Sequence, residues 1–202
     1  MPSGTYLHLT DAGPVEERFR CAPAPGGWRY TGTRSDGLRV DLTVDSRWRQ
    51  IRVELAAPAW LIRGGLAGGD LLWVRRPLAP APSEPAEHGE RAMGFLAESP
   101  AFRIAVARHL ALAPAEDRRV RLVRIQGPSL AALTVDQRWL LAGVDTHPTE
   151  TVPLPVERYE VTDLSTAETH VFHLAGDVVL EAPGLELADL DSPPTLPSQD
   201  PS

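Results

Sequence analysis

The sequence predicts an all-β or nearly all-β domain, formed by one long antiparallel sheet that is strongly bent or partly closed, with at most one or two short helices. Three observations predict this fold. Apolar and polar residues alternate over long stretches, which is the period of a half-buried strand. Turn-forming Gly, Pro, Asp and Ser residues recur at short intervals between these stretches. A helical period is almost absent, and many closely spaced strands are typical of an antiparallel sheet that curls.

The clearest strands lie between Leu38 and Leu55. Apolar residues occupy the even positions from Leu38 to Val44 and the odd positions from Ile51 to Leu55. A turn at Asp45 lets both strands point their apolar side chains to the same face, so this segment predicts a β-hairpin.

Other segments also have strand character, and turn-forming residues separate many of them. The further predicted strands are Phe19–Cys21, Gly27–Thr33, Leu71–Arg75, Val120–Ile125, Leu130–Val135, Arg138–Ala142, Tyr159–Leu164, His170–Leu174 and Val178–Ala182. The predicted turns are Asp36-Gly37, Gly127-Pro128-Ser129, Asp136-Gln137, Ser165-Thr166 and Pro183-Gly184.

Two segments leave helix and strand open. Residues 86–96 contain good helix formers but also Gly89 and Gly94. In residues 101–112, Phe102, Ile104 and Val106 alternate as in a strand, whereas Phe102, Val106 and Leu110 have the spacing of one helix face. Propensity does not decide between the two structures for residues 101–112.

The domain boundaries follow from composition. Residues 1–190 are predicted to form a single β domain, within which the proline-rich residues 77–89 form an exposed loop. The polar, proline-rich residues 191–202 are predicted to be a disordered tail.

Composition limits the possible partners and the compartment. The net charge of −7 provides no basic face for nucleic acid, and all 20 basic residues are arginine, a bias typical of GC-rich bacterial genes. The single cysteine, Cys21, agrees with a reducing compartment. Neither a signal-peptide pattern nor an apolar run of about 20 residues occurs, so we expect a cytoplasmic protein without a transmembrane segment.

No motif predicts catalysis, a metal or a cofactor. The six histidines have no zinc-ligand spacing, and His170 and His173 would lie on opposite faces of a strand. Asp145-Thr146-His147 places a carboxylate beside an imidazole, but no nucleophile accompanies the pair. Cys21 has no nucleophile signature around it, and Gly64–Gly69 lacks the Lys-Ser/Thr of a phosphate loop, which favours a hairpin loop.

Aromatic and arginine side chains provide the candidate binding surface. The five tryptophans would either fill the core or line an apolar pocket on the concave side of the sheet. Arginines cluster at Arg118–Arg124 and at Arg103 and Arg108. They would either form a solvated outer face or hold the polar headgroup of a ligand at the mouth of a cavity.

Three sequence patterns resemble a bacterial family of glycolipid-binding proteins, whose fold is related to that of lipoprotein-localisation factors. The first is an early strand with Trp28 and Tyr30 that leads into the hairpin, with Asp45 and Trp48 matching an Asp-x-x-Trp turn. The second is the family's Thr-Pro-x-Thr-Asn-Thr-Leu-Pro-Ile-Arg-Arg-Leu stretch, which corresponds here to Ser99–Leu110. In the third, the strand Val179–Ala182 runs into Pro183-Gly184-Leu185, where the family has a strand followed by Tyr-Pro-Gly-Leu.

This sequence departs from the family in two of these patterns. The central Thr-Asn-Thr of the second pattern is replaced by Phe102, Arg103 and Ile104, and the tyrosine before Pro183 is replaced by Ala182. The resemblance implies a long, bent antiparallel sheet with an apolar concavity, and it favours a strand at residues 101–110.

We therefore expect non-enzymatic binding of a lipid-like or amphipathic small molecule, such as a glycolipid, in the concavity. A protein-interaction module without a small ligand and an enzyme of unrecognised type are the alternatives, and homo-oligomerisation stays open. The predicted ligand-binding residues are Trp28, Tyr30, Trp48, Trp73, Phe102, Arg108, Trp139 and Tyr159.

Overall fold

Over the residues that the structure describes, the regular structure consists of a fifteen-stranded sheet and a single helix. The computed structural model describes residues 1–24, 26–79, 86–149 and 152–196. The strands are β1 Ser3–Thr10, β2 Gly13–Ala24, β3 Gly27–Arg34, β4 Arg39–Asp45, β5 Gln50–Ala56, β6 Trp60–Ala67, β7 Asp70–Pro77, β8 Ala86–Glu90, β9 Gly94–Leu96, β10 Asp117–Gln126, β11 Ala131–His147, β12 Leu154–Asp163, β13 Thr169–Ala175, β14 Val178–Ala182 and β15 Leu185–Leu190. The helix α1 spans Pro100–Leu110.

The strand order shows an antiparallel meander that starts from the middle of the sheet. Strands β1 to β8 follow one another to one end, and β15 pairs with β1 on its other side. From β15 the strands run in reverse chain order to β10, beside which β9 lies parallel at the far end. This architecture confirms the all-β prediction of a large, curved antiparallel sheet with at most one or two helices.

The sheet curves around α1. The helix contacts β4, β9 and β14, and four strands separate β4 from β14 in the sheet order. A flat sheet could not bring strands so far apart against one helix, so the sheet must bend. The curvature also brings the guanidinium of Arg75 on β7 within hydrogen-bond distance of the Ser129 carbonyl in the β10–β11 turn, at 2.8 and 3.0 Å.

The strand that the resemblance favoured at residues 101–110 is wrong, because these residues form α1. Pro100 stands in the first turn, where its missing N–H costs no hydrogen bond, and Ala111 ends the helix in the left-handed region with φ of 46°. The helix is buried on nearly all sides, so it has no polar face whose spacing could reveal it. Its buried residues are Pro100, Ala101, Phe102, Ile104, Ala105, Val106, Ala107 and Leu110.

The hairpin predicted around Asp45 is confirmed as β4 and β5, with Val40 opposite Leu55 and Leu42 opposite Val53. The Asp45 side chain accepts hydrogen bonds from the backbone N–H groups of Arg47 and Arg49 at 2.9 and 3.0 Å. A carboxylate that bonds the following backbone in this way closes a tight turn. The aspartate of the Asp-x-x-Trp pattern therefore closes this turn.

One predicted turn is wrong, and two strands were not predicted. Asp136-Gln137 is not a turn but lies inside β11, where the Asp136 carboxylate accepts a hydrogen bond from Arg121 on the neighbouring strand at 2.9 Å. A cross-strand ion pair of this kind makes an otherwise turn-forming residue compatible with a sheet. The strands β1 and β15, which pair the two termini, were not predicted from the sequence.

The glycine-rich segment Gly64–Gly69 is only partly the predicted hairpin loop. Gly64 and Gly65 belong to β6, and the turn follows at residues 68–69. A side chain on Gly65 would collide with the Ile51 carbonyl of the adjacent strand, so glycine permits this close approach.

The predicted loop and tail are shorter than the sequence suggests. Residues 86–89 of the predicted loop form most of β8, and residues 80–85 lie outside the described residues. In the predicted disordered tail, the Asp191 N–H donates to the Ser3 carbonyl at 2.8 Å, and the Thr195 N–H donates to Asp177 at 2.7 Å. Residues 191–196 therefore pack on the domain, whereas residues 197–202 lie outside the described residues.

One hydrophobic core extends along the inner face of the sheet and includes the helix. It contains aromatic clusters at both halves, with Phe19 stacked near Tyr30 in one and Tyr159 stacked on Phe172 in the other. Over the described ranges, no helix is long and apolar enough to cross a membrane.

The position of α1 inside the sheet leads to a stability prediction. Ile104 is fully buried, so Ile104→Ala should lower the free energy of unfolding by about 2–5 kcal/mol, as for other large-to-small core changes. Leu133→Ala, at a residue that is 53% exposed, serves as the control and should stay within about 0.5 kcal/mol. Equal unfolding midpoints in urea for the two variants would contradict a central helix.

Candidate functional site

A cleft of about 320 Å³ opens on the inner side of the sheet, where the N-terminal part of α1 faces strands β10 to β13. Its floor is apolar and buried, and consists of Ile125, Trp139, Val161 and Phe172. Because the rest of the inner face is covered by the helix and core side chains, this end of the helix is where the concavity remains open.

Strand register builds the floor of the cleft. Trp139 on β11 lies opposite Val161 on β12, and Val161 lies opposite His170 on β13. Side chains of directly paired residues point to the same face, so these three line one wall of the cleft. Phe172, two residues after His170, packs edge-on against Trp139 at 5.6 Å between ring centres.

Polar groups surround this floor. The buried Gln137 accepts a hydrogen bond from the Trp139 indole N–H at 3.1 Å, which fixes the orientation of the indole. His170, Glu98 and Pro183 form the exposed rim. The cleft thus joins a buried apolar floor to a polar, solvent-exposed mouth.

Two arginines reach into the cleft from opposite sides. Arg124 on β10 donates to Asp163 on β12 at 3.0 Å and is therefore paired. Arg103 on α1 is half-buried, and within the described part of the chain it has no hydrogen-bond or ion-pair partner. Burial, together with the positive charge of Arg124, lowers the pKa of Arg103 below its usual value.

A second cleft, of about 380 Å³, adjoins the first. The two clefts share Glu98, Arg103 and Pro183, and the second continues toward His8 and Asp11 on the other half of the sheet. The guanidinium of Arg103 therefore lies where the two clefts meet.

A buried polar cluster lies behind the second cleft. The fully buried carboxylate of Glu17 accepts hydrogen bonds from Tyr30 at 2.9 Å and from Ser99 at 2.7 Å, and its other oxygen lies 2.6 Å from Nε2 of His8. Burial and the nearby charge of Glu17 raise the pKa of Tyr30, so its hydroxyl stays a proton donor. Both carboxylate oxygens are already bonded, and the cluster ties β1, β2 and β3 to the segment that precedes α1.

Of the predicted ligand-binding residues, only Trp139 lines the first cleft. Trp28, Tyr30 and Trp48 pack together on the other half of the sheet, where ring centres lie 5.3 and 5.9 Å apart. Trp73 packs against Phe95 under the end of the sheet.

The remaining predicted residues are held by contacts within the protein. Phe102 is fully buried in α1, and Tyr159 stacks on Phe172 beneath the cleft. Arg108 donates to the Glu157 carboxylate at 2.7 Å and to the Gly176 carbonyl at 2.6 Å, which ties α1 to the sheet. A ligand-binding role for these residues stays a prediction.

Several cleft residues were missed from the sequence. Gln137 shares a face with Trp139 because the two are separated by one residue, but the predicted turn at 136–137 hid this relation. Glu98 and His170 carry no local signal, since only the curvature of the sheet brings them to the same rim.

The His, Cys, Asp and Glu side chains of the described residues are not arranged for metal binding, and Cys21 is not placed for thiol chemistry. Over the described ranges, no three His, Cys, Asp or Glu side chains lie close enough to hold a metal ion. Cys21 is buried on β2, and burial raises the pKa of its thiol. A buried thiol with a raised pKa is a poor nucleophile.

The buried polar cluster predicts a clear contrast between two neighbouring carboxylates. Glu17→Ala leaves three buried polar groups without a partner and should lower the free energy of unfolding by about 3–5 kcal/mol. Glu16→Ala, on the opposite face with a side chain that is 45% exposed, should cost no more than about 0.5 kcal/mol. Denaturant unfolding of both variants tests this, and a small effect of Glu17→Ala would show that the cluster does not hold the strands.

The fold has a relative among solved structures. A DUF1089 family protein from Pseudomonas aeruginosa matches with a TM-score of 0.52 and 14% sequence identity, over 83% of this chain and 89% of that chain. No family model matches this sequence, and no curated protein matches it. At this level of identity the similarity establishes a shared fold, and the cleft must be interpreted from its own residues.

Proposed function

We propose that the protein binds a small amphipathic molecule in the first cleft and does not catalyse a reaction on it. The observation that carries the proposal is the composition of the cleft, in which a buried floor with Trp139 and Phe172 lies beside two guanidinium groups. Ligand sites in proteins combine an apolar lining with a few polar groups that orient the ligand.

The size of the cleft limits the ligand. Its volume of about 320 Å³ is at the lower end of the roughly 300–1,000 Å³ range of ligand pockets. A cleft of this size accommodates an aromatic ring or a single alkyl chain of about eight carbons.

The lining favours binding over catalysis. Within the part of the chain that the structure describes, the cleft lining contains neither Ser, Thr, Cys nor Lys as a nucleophile. Its carboxylate, Glu98, is paired with Arg34 at 2.7 Å, and its histidine, His170, lies at the exposed rim. General acid–base catalysis would need a base held against a reacting atom, and among the described residues that line the first cleft none is held in this way.

A protein-interaction module is supported less well. The exposed strand β8 is an edge of the sheet, where another strand could add. Its sequence, however, includes Glu87 and Glu90, and charged residues on an edge oppose such pairing.

Chain length should control affinity. Each buried methylene contributes about 0.8 kcal/mol, so 1-octanol should bind about 15-fold more tightly than 1-hexanol. Beyond about ten carbons the gain should level off, because the cleft is then full. Titration calorimetry, with quenching of tryptophan fluorescence as a second readout, measures this series. Equal affinity for 1-hexanol and 1-octanol would contradict the proposal.

A filled cleft should not bind. Val161→Phe places a ring into the cleft from its floor and should abolish binding of 1-octanol. Val144→Phe makes the same change at a position that is 40% exposed and outside the cleft, and should bind normally. Circular dichroism of both variants verifies the fold, and normal binding by a folded Val161→Phe protein would place the ligand elsewhere.

A further inference from the structure

Arg103 is placed where it does not stabilise the fold. It lies in the first turn of α1, at the positive end of the helix dipole, where a cation is unfavourable. It faces another cation, Arg124, and over the described ranges no side chain or carbonyl forms a hydrogen bond with its guanidinium. A half-buried charge with no partner costs free energy, because it loses water without gaining an attraction.

Two other charged groups of the cleft have partners. Arg124 is paired with Asp163 at 3.0 Å, and Glu98 is paired at 2.7 Å with Arg34, which also pairs with Asp36 at 2.6 Å. His170 lies at the exposed rim, opposite Val161. Asp11 is an exposed residue of the second cleft. Among the described residues, Arg103 is therefore the arginine of the cleft that has no hydrogen-bond or ion-pair partner.

We propose that the ligand carries an oxyanion, either a carboxylate or a phosphate, which Arg103 binds at the junction of the two clefts while the apolar part of the ligand lies on Trp139 and Phe172. This inference rests on the proposed function and names the polar end of the same ligand. A guanidinium presents parallel N–H donors that match two oxygens of a carboxylate or phosphate. Arg124 is held on the facing strand by Asp163.

Ligands matched in chain length test the headgroup. Octanoate should bind the native protein about 10- to 100-fold more tightly than 1-octanol, because hydrogen bonds to charged groups are stronger than neutral ones. Octyl phosphate distinguishes the two sources of the oxyanion, since the tighter of the two anions identifies the headgroup. Octyltrimethylammonium should bind more weakly than 1-octanol.

A matched pair of variants assigns the effect to Arg103. Arg103→Gln should remove the preference for octanoate and leave the affinity for 1-octanol nearly unchanged. Arg119→Gln removes the same charge from an exposed position on β10 outside the cleft and should keep the preference. A preference that survives Arg103→Gln would overturn the assignment.

The outcomes separate this inference from the proposed function. If affinity rises with chain length but octanoate and 1-octanol bind equally, the oxyanion inference fails and the amphipathic site stands. If acetate and inorganic phosphate bind as tightly as their octyl derivatives, the amphipathic site fails and the anion site stands. If none of these compounds binds, both fail.

Stability gives a readout that does not need a ligand. Arg103→Met removes an unpaired charge and should raise the midpoint of thermal unfolding. Arg108→Met, on the same helix, removes a guanidinium that bonds Glu157 and Gly176 and should lower the midpoint. A lowered midpoint for Arg103→Met would show that Arg103 is a structural residue and would overturn the inference.

Discussion

The burial of helix α1 on nearly all sides is the constraint on which the rest of the structure depends. A helix without a polar face must be surrounded, and a flat sheet can cover only one side of it. The antiparallel meander bends until β4 and β14, which have four strands between them, both contact α1. The helix fills much of the concavity, and the first cleft opens beside its N-terminal part.

The ends of α1 are held by polar contacts, which makes the geometry of the cleft definite. Before the helix, Ser99 donates to Glu17 inside the sheet at 2.7 Å. Near its C-terminus, Arg108 donates to Glu157 at 2.7 Å, and Nδ1 of His109 lies 2.7 Å from the Arg47 carbonyl in the β4–β5 turn. These bonds join the helix to both halves of the sheet. They oppose sliding and rotation of the helix, so the backbone of Arg103 is held beside the cleft.

The physical range of each signal explains how much could be predicted from the sequence. Strand alternation is local, and it revealed the β4–β5 hairpin with its Asp45 turn. The helix carries no amphipathic period, and the turn predicted at Asp136 failed because the partner that stabilises it in a strand, Arg121, is 15 residues away. The cleft needs contacts of still longer range. The clustering of arginines in the sequence made Arg103 a candidate for ligand binding. The folded structure is needed to show that Arg103 has no partner among the described residues.

The residues of the cleft differ in how firmly the fold constrains them. The floor of the cleft is formed by residues such as Trp139 and Phe172, which also pack against the core and cannot change without repacking it. Arg103 is different, since within the described residues it has no hydrogen bond or ion pair to lose. A substitution there alters the electrostatics of the cleft and leaves the supporting contacts in place. A residue that the fold does not need, at a site that penalises its charge, supports the proposal that Arg103 binds an anionic group.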